Sequence, residues 1–396
     1  MRMLSFLSFA SLAGAAVAMA AGHLGTAAAE ETQRNAAAAG AATRISGPFT
    51  HDNLTVYFVH GPSAAGPVPL TLAEALEKGA VKVLETGNVN RLEIENTGDD
   101  DVFIQTGDIV KGGKQDRVLT TSLVVPPRSG RVPIDSYCVE QGRWAPRGTE
   151  SVAAFAVSRE ALPSREAKLA INKPAVSAAA PTAERTVRVP SYTDRLPNAL
   201  PEQRLAGRSD TGSRQGEVWQ EVAKTQMKLA AGLGAASVAA PESKSSLQLT
   251  LEHEKLKAAR AAYLAALRDK TAGQGDVVGL VFAVNGKLNS ADVYPSNGLF
   301  VKMWPKLLNA SVTEAIGERP AVVGSGSGAA PPAPAGASIP RPADVAAFLA
   351  AAEQGQREAK PVGKLMQREV RDTAAALYVE ARRASGDFVH RNYLAK

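Results

Sequence analysis

Between Val81 and Val139 the chain breaks into short β-branched and aliphatic segments separated by turn residues, and this spacing limits the fold more than any other feature. Val81–Leu84, Arg91–Asn96, Val102–Gln105, Arg117–Val125 and Arg131–Val139 are punctuated by Gly87-Asn88, Gly107, Gly112-Gly113, Pro126-Pro127 and Gly130. Strands this short, with turn chemistry between them, belong to an antiparallel sandwich or barrel. In Arg91–Asn96 the period is two, with Leu92 and Ile94 on one face and Arg91, Glu93 and Glu95 on the other, the pattern of a half-buried strand. Leu54–Val59 reads as an earlier strand. Thr71 can cap a short helix over residues 71–78, with Glu74 at the capping-box position.

Beyond residue 210 the texture becomes mixed. Helical spacing over 216–233, 247–267 and 296–312 flanks a hairpin of Val277–Val284 and Lys287–Tyr294, turned by Asn285-Gly286. A helix over 343–353 and a hairpin of residues 375–382 and 387–394 follow. We therefore expect an α+β fold, an antiparallel β-sandwich-like N-terminal half packed with a helical and β-hairpin C-terminal half. The β-rich part spans 45–160 and the α/β part 210–316 of one domain over 45–316, with 342–396 closing it. Residues 172–191 read as a covering loop or linker, and 317–341, rich in Pro, Gly, Ala and Ser, as a disordered insert.

The first 29 residues carry an address. Arg2 precedes an uncharged, small and apolar run from Leu4 to Ala20, and Ala27-Ala28-Ala29 ends just before Glu30-Glu31. A charged start, an apolar middle and an Ala-x-Ala exit mark a secretory signal peptide, followed by a flexible leader over 30–44. The expectation is export to a periplasm or the outside, with no transmembrane span after cleavage.

Composition excludes several classes. One cysteine among 396 residues leaves no internal disulfide and no zinc site built on several thiolates. Forty-five Lys and Arg against 39 Asp and Glu give too mild a charge for a dedicated nucleic-acid binder. Five histidines, scattered from His23 to His390, suggest no metal site, and no cofactor is expected. Residues 107–114 have a glycine-rich look, but Lys114 falls one residue late for a phosphate loop and Gln115 stands where a magnesium-binding hydroxyl is needed.

Two stretches carry an unusual density of polar chemistry. Gly112-Gly-Lys-Gln-Asp-Arg117 is a turn of mixed hydrogen-bonding types, and Cys138-Val-Glu-Gln-Gly-Arg-Trp144 follows about twenty residues on. If residues 131–140 form one strand, Val132, Ile134, Cys138 and Glu140 share a face. A carboxylate entering from a core face needs a cationic or amide partner, and Lys114, Arg117 or Arg143 can supply it.

Together these stretches resemble the ARG- and Rhodanese-Phosphatase-superfamily-associated protein domain, whose members carry Gly-Ala-Lys-Gln-Asn-Arg ahead of Cys-Val-Glu-x-Gly-Arg-Trp. This chain departs at Gly113 and Asp116. The resemblance extends to residues 214–219 and 278–308, and it implies no established activity.

The leading expectation is a non-catalytic module. Lys114, Gln115, Asp116, Arg117, Glu140, Arg143 and Trp144 would form one polar pocket for an acidic or phosphorylated small ligand or protein partner. One alternative is a hydrolase or transferase with Cys138 as nucleophile, Glu140 as orienter and His390, His60 or His253 as base. Another is an envelope structural or interaction protein. The bland reading of Cys138 is a small buried hydrophobe, and that of Glu140 a structural ion pair.

Overall fold

The computed structural model describes residues 44–173, 210–320 and 338–396. The signal peptide, nearly all of the leader, most of the 172–191 linker and the middle of the 317–341 insert lie outside the described residues.

The fold is α+β, and its N-terminal half is mostly strands. The strands are β1 (Arg44–His51), β2 (Leu54–His60), β3 (Leu70–Thr71), β4 (Val81–Glu85), β5 (Arg91–Asn96), β6 (Val102–Ile104), β7 (Ile109–Gly112), β8 (Arg117–Leu119), β9 (Leu123–Val125), β10 (Gly130–Cys138), β11 (Phe155–Ala156), β12 (Val277–Val284), β13 (Lys287–Val293), β14 (Gln356–Val362), β15 (Met366–Asp372), β16 (Ala376–Arg383) and β17 (Phe388–Ala395). The helices are α1 (Leu72–Glu77), α2 (Arg165–Asn172), α3 (Asp210–Gly232), α4 (Leu247–Leu251), α5 (Glu254–Leu267), α6 (Asn297–Gly317) and α7 (Pro342–Ala352).

Three sheets share the strands. The largest runs β1-β2-β12-β13-β17-β16-β15-β14, the second β11-β7-β8-β10-β5-β4, and a small one β3-β6-β9. The first two strands thus leave the N-terminal half and pair into the C-terminal sheet, with Phe58 opposite Leu280. This sheet is buried on both faces where β2 lies. Leu54, Val56 and Phe58 face the main core, and the Phe58 ring sits 5.3 Å from that of Trp304 on α6. Tyr57 and Val59 face the other way, toward Val345 and Leu349 of α7.

Local chemistry accounts for most boundaries. Thr71 and Glu74 form the expected reciprocal capping box at 3.2 and 2.8 Å. The helical run 247–267 is two helices, because His253 takes an extended conformation and its ring accepts from the N–H of Lys255, capping α5. The run Arg117–Val125 is likewise two strands. Thr120, Thr121 and Ser122 bend the chain from the second sheet, where β8 pairs with β10, to the small sheet, where β9 pairs with β6. Among the described residues no helix is long and apolar enough to cross a membrane.

Candidate functional site

Strand register brings the two motif stretches together. The first half of β10 pairs with β5 and its last three residues with β8, so that Cys138 lies opposite Arg117. The β7–β8 turn that carries Lys114, Gln115 and Asp116 therefore meets the chain leaving β10 at Glu140. Gly112 and Gly113 make that turn with positive φ, +110° and +57°.

The polar heads bind each other. Both oxygens of the fully buried Asp116 carboxylate accept from Arg147, at 2.7 and 2.8 Å; Oδ1 also accepts from Gly112 N, and Oδ2 from Ser246 Oγ at 2.8 Å. Glu140 is gripped by Arg143 at 2.7 Å and accepts from the N–H of Asp116 at 3.1 Å. Its carbonyl accepts from Gln115 Nε2 at 2.8 Å. Arg117, also fully buried, donates to the Gln115 carbonyl at 2.9 Å and to Glu85 at 3.3 Å. Trp144 lies under the Lys114 ammonium, 4.8 Å from its ring centroid, with Arg117 at 5.8 Å.

The two acids feel opposite net effects. Burial raises the pKa of Asp116, and the neighbouring Glu140 adds to that rise, only partly offset by Arg147. Burial acts on Glu140 as well, but hydrogen bonds from Arg143, Ser243 and Asp116 outweigh it and hold that carboxyl low. The seven sequence-selected residues are thus brought together, but chiefly as an internal ion-pair network. This latch fastens the segment after β10 to the start of α4, where Ser246 is also the N-cap. Arg147, Glu85 and Ser246, which complete it, carry no motif signal of their own in the sequence.

The thiol reading meets a different geometry. Cys138 is fully buried, and burial pushes its thiol up to about 11. Gln215 of α3 pairs with the Cys138 backbone at 2.8 and 2.9 Å, occupying the strand's free edge like one more residue of sheet. The candidate bases lie elsewhere. His390 bonds Ser122 and Asp292, His60 bonds Ser46 and Asp276, and His253 caps α5. One group of three carboxylates among the described residues, Glu166, Glu314 and Glu318, has cation-sharing spacing. Lys228 pairs with two of them, Glu318 at 2.5 Å and Glu166 at 3.9 Å.

An open cleft of about 330 Å³ lies beside the latch. Its walls are Asp135–Tyr137 of β10, the end of α2, and the β14–β15 hairpin. Lys173, Arg214, Lys360 and Arg368 line it against two acids, Asp135 and Glu358. Among the described residues no carboxylate hydrogen-bonds to Arg368, although the charge of Glu358 acts on it; its guanidinium donates to the Asn172 carbonyl at 2.8 Å and to Asn172 Oδ1 at 3.3 Å. Burial and the repulsion of Arg214 lower its pKa to about 10. Ser136 lines the same cleft, 1% exposed, and its hydroxyl has no hydrogen-bond partner among the described residues. None of the seven motif residues lines this cleft.

A family model matches residues 42–394, that of the ARG and Rhodanese-Phosphatase-superfamily-associated Protein domain. The chain belongs to this family. No curated protein and no solved structure matches it. The ARG and Rhodanese-Phosphatase-superfamily-associated Protein domain runs here from just ahead of β1 into β17, so latch, cleft, α7 and the terminal hairpins all fall inside its span.

Proposed function

We propose that this chain is an exported binding protein for a small acidic or phosphorylated ligand, seated in the cleft between β10, α2 and the β14–β15 hairpin. The single observation that carries this reading is Arg368, a half-buried guanidinium with a second guanidinium nearby, with only the more distant charge of Glu358 to offset it and no carboxylate hydrogen-bonded to it among the described residues. A desolvated cation held near a like charge is costly unless an anion joins it. A carboxylate or phosphate between Arg368 and Arg214 relieves that cost through charge-assisted hydrogen bonds. The volume falls at the small end of ligand pockets, and Tyr137, Ile171 and Val370 offer apolar wall for an organic body. The Lys-Gln-Asp-Arg and Glu-x-x-Arg-Trp residues then serve as the scaffold that holds β10 in place.

Export is supported by the charged start, apolar run and Ala-x-Ala exit of residues 1–29. The test begins with protein recovered from the periplasmic or culture fraction, and retention in the cytosol overturns the export reading. Calorimetric titration with inorganic phosphate, pyrophosphate and a panel of phosphorylated and carboxylated metabolites should reveal a ligand. Arg368→Ala should weaken it at least ~10-fold, since a hydrogen bond to a charged group contributes roughly 1.5–3 kcal/mol. Equal affinity in Arg368→Ala, or no binding by any member of the panel, overturns the binding reading.

A further inference from the structure

Behind the cleft lies a smaller hollow of about 10 Å³, which shares Thr120, Thr121 and Arg368 with it. Such a space admits one water. Ser122 and His390 line it. Ser122 Oγ is 2.9 Å from His390 Nδ1, and His390 Nε2 is 3.0 Å from Asp292 Oδ1. All three side chains are buried.

The direction of each hydrogen bond follows from the acid. Burial opposes ionisation of Asp292, but the hydrogen bond from His390, with further help from Lys168 and Asn392, holds its carboxyl below the usual range. An ionised carboxylate only accepts. It takes N–H donors from Asn392 at 2.9 Å and Gln105 at 3.3 Å, and the Gln105 carbonyl accepts from the Tyr294 hydroxyl. His390 Nε2 therefore carries a hydrogen toward Asp292. In the neutral ring Nδ1 is the lone-pair nitrogen, and the Ser122 hydroxyl donates to it. Thr106 N–H donates to Ser122 Oγ at 2.9 Å. Thr106 also lines the hollow, and its buried Oγ1 has no hydrogen-bond partner among the described residues; an orphaned donor in such a place calls for a ligand atom or water.

We propose that Ser122 is a nucleophile for acyl transfer to water, with His390 as general base, Asp292 as the residue that positions its ring, and the Thr106 hydroxyl as a donor to the developing oxyanion. The substrate class is an ester of an acidic molecule held by Arg368. That class rests on the anion-binding reading of the cleft; the nucleophile does not. Ser122 Oγ bonds to the ester carbonyl carbon as its proton passes to Nδ1. The carbon–oxygen bond to the alcohol breaks, and the alkoxide leaves with that proton. Water then attacks the acyl-serine, gives a proton to Nδ1, and the Oγ–carbon bond breaks as Oγ takes the proton back. One water is consumed, and an acid and an alcohol are released. Entry requires the Arg368 guanidinium to swing off Asn172, giving up two hydrogen bonds that the bound anion replaces.

A second trio has the same ingredients. His60 stands 2.7 Å from Ser46 Oγ and 3.0 Å from Asp276 on the β1–β2 side, but it lines neither hollow. It serves as the internal comparison.

The experiment treats the full chain with a small fluorophosphonate, whose phosphorus bonds to an activated serine as fluoride leaves. One adduct is expected, mapped to Ser122 by peptide mass, absent in Ser122→Ala, and formed at least ~100-fold more slowly in His390→Gln. Asp292→Asn should slow labelling with the melting temperature held within a few degrees. A nitrophenyl monoester of a dicarboxylic acid should be hydrolysed, with KM raised at least tenfold in Arg368→Ala. No adduct on folded protein, an adduct on Ser46, or an unchanged rate in His390→Gln overturns the proposal. Should His390→Gln not fold, the Ser122→Ala map decides. Phosphate binding without labelling removes the nucleophile and leaves the binding protein, and labelling without binding does the reverse.

Discussion

Gly113 shows how far a single position can depend on its surroundings. Its backbone sits at φ +57°, and a Cβ would lie 2.5 Å from the Phe155 ring. Left-handed geometry costs an L-residue about 1–2 kcal/mol, and displacing a packed ring adds an overpacking cost of about 1–3 kcal/mol. Gly113→Ala should therefore lower stability by more than about 2 kcal/mol in urea melts; a loss under about 0.5 kcal/mol would show that Phe155 moves aside freely. The same scale explains what sequence could tell of the site. The density of polar types in residues 112–117 and 138–144 pointed to one cluster, and register delivers it. Whether those heads face water was not legible, because Arg147, Glu85 and Ser246, which absorb them, come from three separate segments. Nor was the cleft. Arg214 and Arg368 are far apart in sequence; Arg214 opens the 214–219 stretch that carries the resemblance, but Arg368 stands in no patterned motif and nothing in the sequence pairs the two.

At the scale of elements, helix ends carry the titration chemistry. Glu314, on the last turns of α6, accepts from the N–H of Arg165 at the start of α2 at 3.1 Å and from Asn289 at 3.3 Å. Burial pushes its carboxyl up to about 7, and the nearby Glu166 adds to the rise. The ordinary glutamate value is 4.5. Between these two values the folded chain holds a proton that the unfolded chain has released, so this group's contribution falls as pH rises. The full difference is of order 3 kcal/mol. Melting at pH 5 and pH 8 should show a smaller loss on alkalinisation in Glu314→Gln than in the parent, and identical slopes would place the titration elsewhere. Elements with strong local signals, such as the Thr71 capping box, the Asn285-Gly286 hairpin and the period-two strand at 91–96, stand where sequence put them. Others depended on tertiary partners. The hydroxyl-rich stretch at 120–122 leaves one sheet for another, β14 is almost wholly exposed along its length, and β1 carries a glycine and a proline in mid-strand.

For the whole molecule, connectivity matters more than any contact. The described residues from 45 onward form one compact unit, and within it β17 lies between β13 and β16, in the interior of the largest sheet. A chain stopped after Asp387 loses both ladders at once, together with His390. It should show no cooperative thermal transition and rapid proteolysis, whereas a sharp melt near the parent's would show that β16 can close on β13 unaided. The parent should unfold in a single calorimetric transition, since β2 and β12 tie the early strands to the late ones.

That arrangement has a consequence for biosynthesis. Contacts spanning so much of the chain make folding slow, and the central gap in the largest sheet is filled only once residues 388–395 have been synthesised. Until then β13 and β16 keep open edges that other chains could pair with. A polypeptide threaded through a membrane pore in extended form would be spared premature closure, and the delay built into its connectivity would then be an aid to transit.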